Sequence, residues 1–327
     1  MDIFVYKLHF IGPTHFGDTG IELENVNERV SSDTVFSALI NTMKILYGQE
    51  KVAAFIDSFM NNPPFIISSL FLYRGDTFYF PRPLLDGQLS EDLKRELGKG
   101  LKKIMWLSQE MFLKWMSKKE LNEVDIESMK EKQEDYERAY TVEIRPRVSL
   151  DRTTQNSNLY HCGYLHFKKN AGLYGFVAFK DLNTIELFKN LLTNLGEIGL
   201  GGERTYGSGM FKVAEFRKID GIFTDIFKIK TSYYVALSLY HPSAKEKDSI
   251  KDCLVAYDIL RKKGWITSGR NTLPLKRKSV GFFVEGSVFN FRPEGSLVDI
   301  TPDTDPHNML KHKIFRYGYA FTAPFGG

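Results

Sequence analysis

Apolar and polar positions alternate over residues 2–11, DIFVYKLHFI, which predicts a first β-strand ended by Gly12 and Pro13. THFGDTG follows as a loop. The period then lengthens. Val35, Phe36, Leu39, Ile40, Met43 and Leu46 share one helical face, and Ser32 or Asp33 supplies an N-cap. The helix runs to about Tyr47 and stops at Gly48. A shorter helix spans Lys51 to Met60, ended by Asn61-Asn62-Pro63-Pro64. Phe65 to Phe80 is apolar and aromatic and reads as strands, closed by Pro81-Arg82-Pro83.

Residues 90–140 change character. Charge is dense, and Leu93, Leu97, Leu101 and Ile104 repeat helically, with Trp106, Phe112 and Trp115 close by. This stretch reads as a helical insertion whose aromatics form a packing face. Alternation returns over residues 141–180, in TVEIRPRVSLDR, NLYHCGYLHFK and GLYGFVAFK. The polar DRTTQNSN between the first two is a hairpin tip that carries Arg152. A helix over 184–195, with Ile185, Phe188, Leu191, Leu192 and Leu195 inward, and a strand over 210–216 complete a β-α-β-β-α-β count.

Around Asp220-Gly221 the pattern restarts. SYYVALSLY (232–240) predicts a strand, and Ile250, Leu254, Tyr257 and Leu260 mark a helix ending near Gly264. VGFFVEGSVFNF (280–291) is a strand or hairpin, and IFRYGYAF closes the chain. The expected fold is α+β, with two ferredoxin-like (RRM-like) domains, a glycine-rich loop and a helical insertion. Residues 1–220 form the first domain, interrupted at about 90–140, and residues 221–327 form the second.

Composition narrows the function classes. The chain is 43% apolar, which excludes a disordered protein, and no segment holds the ~18 consecutive apolar residues a membrane span requires. Asp2 and the alternation after it do not resemble a signal peptide. Cys162 and Cys253 are too few for a disulfide framework and point to a reducing cytoplasm. A net charge of +4 permits nucleic acid binding without arguing for it, so the distribution of charge decides.

The stretch around which the chain is organised is Gly196 to Val213, GEIGLGGERTYGSGMFKV. Gly199, Gly201, Gly202, Gly207 and Gly209 alternate with Arg204, Thr205, Tyr206 and Ser208. The order helix, loop, strand excludes a Walker loop, and Ser208 stands where its Lys is required. The G-x-G-x-x-G fingerprint fails because Arg204 replaces a third glycine. Two readings remain. The loop is a tight connection needing positive φ, or a cradle in which Gly201, Gly202 and Gly207 N–H groups and Arg204 hold phosphate while Tyr206 stacks on a base.

GLGGERTYGSGMF resembles the glycine-rich loop of the RAMP superfamily, the RNA-binding subunits of CRISPR effectors, and more narrowly the Csm-four subunits of type III-A complexes in the Cas-five group. Asp33, Thr34, Phe36, Ser37, Ala38 and Leu39 match the family's opening helix, as does the His-Phe-Gly loop at His15, Phe16 and Gly17. EGSVF and RYGYAFTAP resemble its later segments. The family has a basic residue where Glu203 stands, so Glu203 must point away from phosphate or pair with a neighbouring Arg. The resemblance implies a non-catalytic subunit without cofactors that binds crRNA and anchors its 5′ repeat-derived tag. It also implies contact with the large Cas-ten-type subunit and the backbone RAMP subunits, and only indirect contact with target RNA. VSLDRTTQNSNLY resembles the thumb hairpin that wedges the guide in this family.

Further residues fall to RNA on this reading. His15 donates or accepts a hydrogen bond; as an acid or base it would make the chain a metal-independent endoribonuclease that processes crRNA, but no partner residue is evident. Asp33 is a helix cap, beside which Ser31 or Ser32 can meet phosphate at the helix N-terminus. Arg261 to Lys278, RKKGWITSGRNTLPLKRK, holds Arg270, Lys276 and Arg277 and no acid, and is either a solvated loop or an RNA groove. Arg147, beside Pro146, is a weaker candidate with Arg145. His161, Cys162 and His166 lack zinc spacing, and no metal is expected. A third possibility is a structural subunit whose glycine loop packs against protein.

Overall fold

The computed structural model describes residues 1–17, 23–88, 103–150, 153, 156–266, 275–303, 310 and 312–326. In chain order the first part contains β1 (Asp2–Phe10), α1 (Ser32–Asn61), β2 (Phe65–Ile67), β3 (Phe71–Arg74), β4 (Thr77–Pro81) and β5 (Trp106–Ser108). Then come α2 (Gln109–Met116), α3 (Glu123–Glu137), β6 (Tyr140–Leu150), β7 (Ser157–Phe167), β8 (Ala171–Phe179), α4 (Ile185–Ile198), β9 (Phe211–Lys218) and α5 (Gly221–Phe227). The main sheet runs β5-β4-β3-β8-β1-β9, with β2 also on β8, and every pairing is antiparallel. β8 is buried along its whole length, which is why its sequence reads as nearly continuous apolar residues.

Helix α1 is two helical segments joined at Gly48, whose φ of 82° and ψ of 174° break the helix where the glycine stop was expected. Its N-cap is Ser31, one residue earlier than predicted, so Asp33 lies inside the first turn. Helix α4 buries Phe188, Leu191, Leu192 and Leu195 as the spacing required. Of the insertion, Leu93, Leu97 and Leu101 lie outside the described residues. Its remaining aromatics pack inward: Trp106 stacks on Tyr136 at 4.9 Å and Phe112 on Phe80 at 4.4 Å. Such pairs add about 0.5–1.5 kcal/mol beyond their burial.

The C-terminal part departs from expectation. The predicted helix from Ile250 to near Gly264 is a single 3₁₀ turn, Ile250–Cys253, followed by strands Leu254–Ala256 and Ile259–Lys262. Its apolar spacing served strand pairing instead, with Ile259 opposite Phe283 and Leu260 opposite Phe282. Beyond Phe227 no α-helix occurs among the described residues, so the β-α-β-β-α-β count is not repeated there. A four-stranded antiparallel sheet takes its place, in the order Leu254–Ala256, Val288–Phe289, Tyr233–Ala236, Thr322–Phe325.

Both parts share one core. Tyr317 lies 4.9 Å from Phe36 and accepts the Ile67 N–H at 2.9 Å, and Phe321 stacks on Phe176 at 5.9 Å. Among the described residues no helix is long and apolar enough to cross a membrane.

Candidate nucleic-acid interface

The glycine loop leaves α4 at Gly199 (φ 90°), makes a 3₁₀ turn over Arg204–Tyr206, and enters β9 through Gly207 and Gly209. It lies against the backbone that follows β1. Gly209 N–H donates to Pro13 O and Gly202 N–H to His15 O, both at 2.8 Å. A Cβ at Gly201 would stand 2.5 Å from His15 O, and one at Gly209 would stand 2.0 Å from Leu200 O. Close approach of two backbones therefore accounts for these glycines. The expected N–H cradle is corrected at two positions. Gly202 N–H is turned inward to His15 O, and Gly207 N–H bonds Arg204 O at 2.9 Å.

Burial corrects further expectations of surface contact. His15 is 5% exposed, and its Nδ1 lies 2.8 Å from Gly163 O, a distance at which Nδ1 must carry the proton and donate. His15 thus joins the loop below it to the hairpin instead of facing solvent. Phe16 is buried against Phe10 at 5.6 Å, and Ser208 is buried within the loop. Ser32 is wholly buried: its N–H donates to Ser69 Oγ at 2.9 Å, and its own Oγ accepts Leu239 N–H at 3.1 Å. Gly17 remains exposed. Arg152 and Arg270 lie outside the described residues.

The exposed rim consists of Arg204, Thr205, Tyr206 and Gly207. Tyr206 is 65% exposed, and the Arg147 guanidinium from β6 sits 3.9 Å from its ring centroid. Arg147 also lies 3.7 Å from Glu203 Oε2 and donates to Tyr164 Oη. Glu203, in the left-handed region at φ 54°, therefore pairs with a neighbouring Arg, one of the two outcomes its charge required. Burial, then Cys162, raise the Tyr164 phenol to about 12 despite Arg147, so at neutral pH it is a neutral hydroxyl. The hairpin β6–β7 has two faces. Val142, Ile144, Val148 and Leu150 are exposed along one, and Arg145 and Arg147 alternate with them on the other.

Between the loop, the start of α1 and the C-terminal strands lies a cleft of about 770 Å³. Sequence reasoning missed its centre. Asp33, read as a cap, is 4% exposed and receives Lys262 Nζ at 2.7 Å and Arg316 at 2.6 Å. Burial opposes ionisation of Asp33, yet Lys262, Arg316 and Ser31 outweigh it and hold the carboxyl below its ordinary range. A second buried acid, Glu285, accepts from Ser69 Oγ and from Arg29 at 3.0 Å. Arg277 lines the cleft together with Arg204, while Lys276 is exposed on the strand Leu275–Lys276. Arg277 and Arg204 also share a smaller recess with Asn41 and Lys44.

Fold and loop define a mixed α/β protein in which a helix, a glycine loop and a strand dock on the first strand. The chain belongs to the RAMP superfamily, which matches residues 7–212, and the CRISPR Csm4 C-terminal domain matches residues 229–325. The resemblance drawn from GLGGERTYGSGMF is borne out. The CRISPR system Cms protein Csm4 of Thermococcus onnurineus (strain NA1) is 29% identical over 303 residues, 89% of either chain. That of Streptococcus thermophilus is 24% identical over 324 residues, 94% of this chain and 96% of that one. The fold is similar to a chain in the crystal structure of a Csm3-Csm4 subcomplex in the type III-A CRISPR-Cas interference complex. There the TM-score is 0.67 at 16% identity, and both chains are covered completely. A Csm1-Csm4 cassette in complex with pppApA gives a TM-score of 0.61 at 21% identity, covering 99% of this chain and 98% of that one.

Proposed function

We propose that this chain is a non-catalytic crRNA-binding subunit of a type III CRISPR effector complex that anchors the 5′ repeat-derived tag of the guide. The carrying observation is the Arg147–Tyr206 pair, an exposed aromatic face backed by a guanidinium, on the same loop turn as Arg204, which lines the basic cleft. A ring so placed offers a base a stacking surface, and the adjacent cations offer its phosphates a partner. The names of the relatives supply the setting: this subunit bridges the large Cas-ten-type subunit and the backbone RAMP filament, in the manner of structures that pair Csm4 with Csm1 and with Csm3. The order β9-β1-β8-β3 around α1 and α4 supports a ferredoxin-like reading of residues 1–220, with residues 221–327 as the second unit.

Filter binding of a tag-bearing crRNA against a scrambled control, with the RNA recovered on a gel, tests this reading. The assay is run on the chain alone and on the assembled complex. Tag-selective binding with intact RNA is expected. Equal binding of both RNAs in the assembled complex would reject tag anchoring. The endoribonuclease alternative draws no support from His15, which is buried with Nδ1 engaged.

A further inference from the structure

Among the described residues six basic and four acidic side chains line the cleft, and Asp33 and Glu285 are already paired. Asp33 is shared by Lys262 and Arg316, and Glu285 is paired with Arg29. Arg277 enters the same space without an acid of its own among the described residues. Its Nε is buried with no hydrogen-bond partner among the described residues, as is that of Arg316. Burial lowers the pKa of the Arg277 guanidinium, and repulsion from Arg316 lowers it further while Asp33 opposes. Three cations therefore stand around one carboxylate in a half-enclosed space. Leaving a buried guanidinium nitrogen unpaired is costly unless an acceptor arrives.

We infer that this part of the cleft is a phosphate site for single-stranded RNA, in which Arg277 makes the recognising contact and Asp33 fixes Lys262 and Arg316 as its walls. The inference rests on the RNA-binding reading for the source of the phosphate, and it adds a site distinct from the stacking rim of Arg147 and Tyr206. The chemistry fits. Guanidinium forks match phosphate oxygens, and a phosphate diester brings the single negative charge that relieves the Arg277–Arg316 repulsion. Arg277 and Lys262 come from the C-terminal strands, whereas Arg204 and Asp33 come from the first part of the chain. A phosphate held here therefore ties the two parts together.

The test measures the affinity of a tag-bearing guide RNA against salt for wild type, Arg277→Gln and Tyr206→Ala. Lys251→Gln, an exposed change outside the cleft lining, serves as control. Arg277→Gln is expected to weaken binding roughly tenfold. It should also reduce the slope of log affinity against log salt by about 0.7, one phosphate contact on a single strand. Tyr206→Ala should weaken binding with the slope intact, and Lys251→Gln should change neither. Unchanged affinity and slope for Arg277→Gln, or an equal loss for Lys251→Gln, overturns the site while the RNA-binding reading stands. If the wild-type protein binds no guide RNA, alone or assembled, that reading fails and the site is judged with pyrophosphate. A rise in melting temperature in millimolar pyrophosphate that Arg277→Gln abolishes supports the site, and its absence overturns it.

Discussion

The Arg147 guanidinium sits over the exposed ring of Tyr206, 3.9 Å from its centroid, and so binds the hairpin β6–β7 to the glycine loop. Neither residue touches the other's element in sequence, and Glu203 completes the contact from within the loop. The pair presents an aromatic face already held in position. Replacing Tyr206 by Ala removes that face, and guide affinity should fall by about 1–3 kcal/mol, the range of a single base stack. Arg147→Lys keeps the charge but loses the planar backing, so it should show part of the loss. A filter-binding titration of both variants checks this, and an unaltered affinity in Tyr206→Ala excludes stacking at this ring.

The loop glycines divide into two kinds, and their alanine variants should separate accordingly. Gly209 has φ 80°, and an added Cβ would stand 2.0 Å from Leu200 O, so Gly209→Ala adds a backbone clash to the strain. Gly207 has φ 79° with nothing within 4 Å of its missing Cβ. Gly207→Ala should therefore cost only the left-handed penalty of about 1–2 kcal/mol. Urea unfolding of the two variants should place Gly209→Ala well below Gly207→Ala in midpoint. Equal midpoints would show that backbone approach does not set the glycine content here.

Asp33 gives a pH-dependent prediction. Its folded carboxyl titrates below the ordinary value of 3.8, because Lys262 and Arg316 outweigh its burial. A depressed acid contributes stability that is present above the unfolded value and is lost as pH falls through the lower, folded one. Asp33→Asn leaves its two ion-pair partners, Lys262 and Arg316, against a neutral group and should cost about 3–5 kcal/mol at neutral pH. The gap to wild type should hold down to about pH 4 and close below it. Urea midpoints of both proteins across that range measure it, and a gap independent of pH would assign the loss to packing alone.

What was legible in the sequence was local. Helix α4, the glycine loop and β9 follow one another within Ile185 to Lys218, and their periods, stops and turn residues all lie inside that window. The break at Gly48 was readable for the same reason. The errors share a different cause. Asp33 looked like a cap because its partners stand 229 and 283 residues downstream. His15 looked exposed because its acceptor, Gly163 O, is 148 residues away. Residues 250–264 looked helical because the strands that claim them begin at Val280 and Val288. Periodicity reports which face is apolar, and long-range pairing decides what covers it.

The burial of His15 separates a structural from a catalytic role by substitution chemistry. Its Nδ1 donates to Gly163 O, and Gly202 N–H closes on its own carbonyl, so the residue joins β1, β7 and the loop. An asparagine amide can supply a donor close to the position of Nδ1, whereas alanine cannot and also leaves a void. His15→Asn should therefore melt nearer to wild type than His15→Ala, which loses a buried hydrogen bond and its packing, about 1–3 kcal/mol for the unmet acceptor alone. Guide RNA incubated with wild type should stay intact. Cleavage by wild type that both variants abolish without loss of folding would return His15 to the chemistry. A graded loss of melting temperature with intact RNA throughout fixes it as the pin beneath the loop.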